Sequence, residues 1–144
     1  MTLKSLIEQY LATDSIRLSE SLENQIISLI DEHVKQQFEI YKKWDMLVGD
    51  TDYDGYDSEK GTWIFKTCLP DEVYLEHIVY YGACGCEGFS KYFKYNEIDN
   101  FDWKAFEEKV KANCIKQLTA QHKSLIDKAD KISKQIEELQ KNET

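Results

Sequence analysis

Apolar residues recur at three- and four-residue spacing in three stretches of the chain. Leu3, Leu6, Ile7, Tyr10 and Leu11 share one helical face, which predicts a helix over about 3–12 that ends at Thr13-Asp14-Ser15. A second stripe comprises Leu22, Ile26, Ile30, Val34, Tyr41, Trp44 and Val48, with Leu29, Phe38, Ile40 and Leu47 beside it. It predicts a long helix over about 20–48, capped by Ser19 or Asp14 and stopped at Gly49. The third seam runs through Trp103, Phe106, Val110, Cys114, Leu118, Leu125, Ala129, Ile132, Ile136 and Leu139. With Asp102 as N-cap it predicts a helix over about 102–140. Forty helical residues span roughly 60 Å, about twice the diameter of a small domain. The far end of that helix therefore needs a partner. Spacing of four and three from Leu125 to Leu139 is that of a coiled coil.

Between the second and third stripes the period changes. Thr62–Cys68 and Val73–Tyr81 are rich in β-branched and aromatic residues, and Leu69-Pro70-Asp71-Glu72 between them suits a turn. Phe89, Phe93 and Tyr95 alternate with polar neighbours, and Gly82, Gly85 and Gly88 mark the preceding turn. This is read as a three-stranded antiparallel meander. The expected fold class is α+β: a long antiparallel helical hairpin with a small, about three-stranded antiparallel β-sheet inserted between its two long helices. One domain over 1–144 is expected, its β-rich acidic middle at about 50–100 and its sheet packed on Trp44, Phe106 and Val110.

Charge changes the picture through its location. The chain carries 27 acidic and 18 basic residues, net −9. Residues 1–44 have 7 acids against 5 bases, residues 45–102 have 13 against 4, and residues 103–144 have 7 against 9. The middle thus holds the whole excess, together with 12 of the 18 aromatic residues. An acidic field attracts basic partners and disfavours direct nucleic-acid binding. No apolar run approaches the ~20 residues of a membrane span, and the first residues lack the pattern of a secretory signal. Cys68, Cys84, Cys86 and Cys114 are too few and too irregular for a disulfide framework. Reduced thiols and a cytoplasmic location are expected. Seventeen of the 18 basic residues are Lys and 13 residues are Ile, which suggests AT-rich coding DNA and a bacterial or phage source.

The densest candidate site is Asp50-Thr51-Asp52-Tyr53-Asp54-Gly55. It resembles the first half of an EF-hand calcium loop, with Asp50, Asp52 and Asp54 as carboxylate ligands and Tyr56 as the backbone-carbonyl ligand. The resemblance covers about ten residues and stops there. Gly61 stands where a bidentate Glu belongs, Asp57 replaces an apolar residue, and a strand follows in place of a helix. The competing reading is a partner-binding loop of Asp50, Asp52, Tyr53, Asp54, Tyr56, Asp57 and Glu59. Crowded carboxylates repel one another until a cation or a basic surface compensates them. Tyr adds an apolar ring with a polar tip, a combination favoured at interfaces.

Cys84-Gly85-Cys86 offers two thiolates to zinc, but a hairpin separates Cys68 from them by roughly 25 Å at 3.3 Å per residue. His33, His77 and His122 each sit on or beside an apolar stripe or strand with no nucleophile motif, and no catalytic residue is assigned. The sequence therefore points to a binding protein and not an enzyme. The expectation is a small acidic interaction module that inhibits a basic, nucleic-acid-handling partner, of immunity or anti-defence type. Calcium stabilisation through the acidic loop and a homodimer through the C-terminal helix are the alternatives.

Overall fold

The computed structural model describes residues 1–44, 61–80 and 85–143. The chain runs α1 (Leu3–Ala12), α2 (Ile16–Lys43), β1 (Thr62–Cys68), β2 (Glu72–Tyr80), β3 (Cys86–Lys94), α3 (Tyr95–Ile98) and α4 (Trp103–Asn142). It is a mixed α+β fold with the expected three-stranded antiparallel sheet, in the order β1-β2-β3.

Side-chain caps set the helix starts. Thr2 accepts from the Ser5 N–H, Ser15 from that of Leu18 and Asp102 from that of Ala105, each satisfying an otherwise orphan donor. Helix α2 therefore begins after Ser15, not at Ser19 or Asp14. The apolar stripe misses this start because Ile16 and Leu18 face solvent. The helix stops at Lys43, with Trp44 as its C-cap. Lys42 and Lys43 in the last turn complement its dipole. Leu47, Val48 and Gly49, expected in its last turn, lie outside the described residues.

The core is built on α2. Leu22, Ile26, Ile30, Val34 and Phe38 face Leu3, Leu6 and Ile7 of α1 and Trp63, Val73, Leu75 and Phe93 of the sheet. Each such side chain taken fully out of water stabilises the fold by about 1.5–3 kcal/mol. At one corner Tyr10 packs on Phe65 with ring centroids 5.0 Å apart, and its hydroxyl donates to Glu23. At another, Trp63 Nε1 donates to Asp31 on α2.

In the sheet, β2 is central. Its residues alternate, with Val73, Leu75, His77 and Val79 buried and Tyr74, Glu76 and Ile78 on the other face. The β1–β2 turn falls where Pro70 predicts it, closed by Leu69 N–H donating to the Glu72 carbonyl at 2.8 Å. A register shift between Phe65 and Thr67 turns Cys68 towards the core. Tyr95 does not extend β3. It opens the single turn α3, where its N–H donates to the Asp71 carbonyl. That turn brings Asp99 to the start of α1, where its carboxylate accepts from the Leu3 and Lys4 N–H groups at 2.8 and 3.0 Å.

Helix α4 departs from the expected packing. It meets α2 only near its start. Trp103 and Phe101 lie against His33, Phe106 packs edge-on to Tyr41, and Glu107 accepts from Lys43 and from Trp44 Nε1. The sheet packs on α2 and α1, while Trp44 and Phe106 belong to this α2–α4 joint. Val110 is buried and Cys114 half-buried, but every residue of α4 from Ile115 on is exposed. The long helical pairing expected from the two seams is thus realised as a short contact.

Candidate interaction surfaces

Among the described residues, two apolar surfaces are left at least partly uncovered. The first is the outer face of the sheet. The inner face is fixed by α2, so strand alternation sends Tyr74, Glu76, Ile78 and Tyr80 of β2 outward. Opposite them on β3 stand Tyr92, Ser90, Gly88 and Cys86, and Ile64 on β1 faces Glu76. Tyr74 and Tyr92 stack with centroids 4.6 Å apart and planes at 28°. Tyr80 is 65% exposed and Tyr92 51%. The charges of this face are the Lys66–Glu76 ion pair, 3.1 Å, and Glu72 opposite Lys94 at one end of the strands. A solvated sheet face ordinarily alternates to polar residues. This one carries three tyrosines and two isoleucines, the composition of an interface. The signal is present in the sequence: β2 is apolar or aromatic at both parities, and reading it for a single buried face passes over the other.

The second open surface is the distal seam of α4, where Leu125 and Leu139 are 64% and 65% exposed. Here the heptad spacing alone names the residues, and the structure places no described residue over them.

The acidic loop residues Asp50, Asp52, Tyr53, Asp54, Tyr56, Asp57 and Glu59 lie outside the described residues, so their partner-binding and calcium-ligating roles rest on sequence. Only the end of the calcium-like loop is described. Gly61 has φ 90°, and a Cβ there would lie 2.7 Å from both His77 Cε1 and the Ile78 carbonyl oxygen. The ligand position that Glu fills in an EF-hand is thus a glycine required by β1–β2 packing. Among the described residues no group of three or more His, Cys, Asp or Glu could hold a metal ion. Cys86 pairs with Tyr80 and Cys68 with Val73, seven residues apart along β2 and roughly 23 Å at 3.3 Å per residue.

The titratable side chains are held by packing. His33 lies among Phe101 and Trp103, and burial lowers its pKa, with Lys91 adding to the effect. Burial pushes the Cys68 thiol up to about 11, which keeps it protonated and a poor nucleophile. His77 is buried between Trp63 and Phe89. Glu107 is lowered chiefly by the hydrogen bond from Lys43. The α2–α4 joint is also strapped by Lys111, whose ammonium lies 5.3 Å from the Trp44 ring centroid.

No helix among the described residues is long and apolar enough to cross a membrane. Compared with known protein families, curated proteins and solved structures, the chain matches none.

Proposed function

We propose that this protein is a protein–protein interaction module, and that its α+β part binds and inhibits a basic partner protein. The supporting observation is the outer sheet face. Tyr80 and Tyr92 are exposed, and Tyr74, Ile64 and Ile78 half-buried, on the outer face of the sheet that follows the acidic segment 45–60 in the chain. Tyrosine supplies contact area at low entropic cost, and the carboxylates supply long-range attraction to a Lys- and Arg-rich surface. In this reading Asp50, Asp52, Asp54, Asp57 and Glu59 steer association, with Tyr53 and Tyr56 beside them. Steering charges act mainly on the association rate and its salt dependence.

The test is capture from host lysate on the immobilised full chain, at low and then high salt, beside two variants. One is Tyr74→Ala with Tyr92→Ala; the other is Asp50→Asn, Asp52→Asn, Asp54→Asn and Asp57→Asn. The expected result is one stoichiometric basic protein, released by salt, retained less by both variants, and inhibited in its own activity by the wild-type chain. A captured protein that is indifferent to salt and to both variants would remove the proposal.

A further inference from the structure

The distal two-thirds of α4 requires an explanation that the sheet surface does not give and that is independent of the proposed function. From Ile115 to Asn142 the helix is four heptads long. Its a positions are Ile115, His122, Ala129 and Ile136, and its d positions Leu118, Leu125, Ile132 and Leu139. All eight are exposed. An isolated helix of this length in water is marginal, and its stability ordinarily comes from an apolar face that packs on something. Within the chain α2 is not available, because its apolar face is already filled by α1 and the sheet.

We infer that α4 pairs with the α4 of a second copy of this chain, antiparallel, about a two-fold axis near Asp127. Three independent features select this occupant and this direction.

The first is charge. The b positions read Lys116, Lys123, Asp130 and Glu137, two cations followed by two anions. In the antiparallel register that sets Leu125 opposite the partner copy's Ala129, Lys116 runs beside Glu137 and Lys123 beside Asp130. The symmetry repeats both pairings. The e positions between them are Thr119, Ile126, Ser133 and Gln140, all uncharged, so these attractions act at longer range along one side of the pair. On the other side Lys128, at g, faces its own copy across the axis as the one like-charge contact of this register.

The second feature is core size. In the same register Ile115 meets Leu139, Leu118 meets Ile136 and His122 meets Ile132. Each layer thus holds at least one large aliphatic residue, and the small Ala129 is filled by a Leu. A parallel pair in register would set Ala129 against Ala129 and His122 against His122, thinning the centre of the interface.

The third is the rest of the molecule. Residues 1–102 carry 20 acids and 9 bases, net −11. A parallel pair would bring two such bodies together at one end. The antiparallel pair sets them at opposite ends, beyond reach of unscreened repulsion at physiological salt.

The decisive experiment combines mass in solution with one distance on the full chain. Sedimentation equilibrium should give twice the 16.9 kDa chain mass. A nitroxide is placed through Lys141→Cys in a chain whose four native cysteines are alanine, after that background is shown to keep the same mass. In the antiparallel dimer the two labels lie about 42 Å apart along the axis, 28 residues at 1.5 Å. A parallel dimer would hold them side by side, near the ~8–10 Å interaxial spacing plus the label arms. Leu125→Asp with Ile132→Asp should yield monomer with unchanged tryptophan fluorescence from Trp44, Trp63 and Trp103, showing that the α+β part and its joint with α4 still fold. Lys116→Glu with Lys123→Glu should raise the dissociation constant roughly tenfold, and adding Asp130→Lys with Glu137→Lys should restore it. A monomer at about 100 micromolar, a short label distance, or a dimer unaffected by the Asp substitutions would each overturn the inference.

Discussion

A methyl group at Gly61 would have to share space with His77 Cε1 and the Ile78 carbonyl oxygen, on a backbone of positive φ. Both costs fall on one residue, so Gly61→Ala should destabilise the fold by about 1–3 kcal/mol, measured as a lower urea midpoint at unchanged slope. A substitution at the exposed Gly85, where no atom lies within 4 Å of the Cβ position, serves as the control.

His33 gives the chain a pH response of defined sign. Burial holds its pKa below the ordinary 6.5, so as pH falls the unfolded chain takes up the proton before the folded one does. The stabilisation is complete above about 6.5 and is lost as the pH falls from there towards the folded-state pKa. Unfolding free energy should therefore decline as the pH falls below about 6.5, and His33→Gln should flatten that slope. Neither feature is legible as such in the sequence. There Gly61 reads as a missing ligand and His33 as one more histidine beside an apolar stripe, because the rings that enclose it, Phe101 and Trp103, lie some seventy residues away.

At the scale of elements, periodicity locates α1, α4 and the meander because each buries or leaves open one regular face. It misplaces the start of α2, since the first turn after Ser15 presents Ile16 and Leu18 to water and adds nothing to the stripe. It extends β3 through Tyr95, because an aromatic residue at the right parity does not reveal that the Asp71 carbonyl will turn the chain into α3. It makes α4 a packing partner of the whole of α2, since a seam in sequence says that a face needs covering without saying by what. Of the candidate sites, the α4 seam is legible. The Tyr74–Tyr92 face is legible in part: β2 is apolar or aromatic at both parities, but which of its two faces is covered is told only once α2 is placed.

The separation between α4 and the rest can be measured. Within the chain its only buried residue is Val110, Cys114 is half-buried, and every residue from Ile115 on is exposed. A chain ending after Gln121, studied below the dimer's dissociation constant, should keep its unfolding free energy within about 1 kcal/mol of the full chain while losing far-UV helical signal. A large loss of stability would mean that the distal half packs back on the α+β part.

The molecule as a whole is polarised, with an acidic α+β part attached to a slightly basic rod. If the rod pairs antiparallel about Asp127, the two α+β parts join it at points roughly 70 Å apart, 48 residues from one Trp103 to the other at 1.5 Å. Engagement of two basic sites at that spacing would be strengthened by effective concentration, and engagement of one would not.

The contact between Asp99 and the Leu3 and Lys4 N–H groups has a bearing on the order of events during synthesis. The first helix made cannot receive that carboxylate until nearly a hundred residues have been added. Asn142 follows Asp99 by a further ~43 residues, about 2–9 s of elongation at 5–20 residues per second. The residue that closes the α+β part is therefore synthesised seconds before the last of the seam. Chain order alone lets each copy close on itself before it has a complete surface with which to find another.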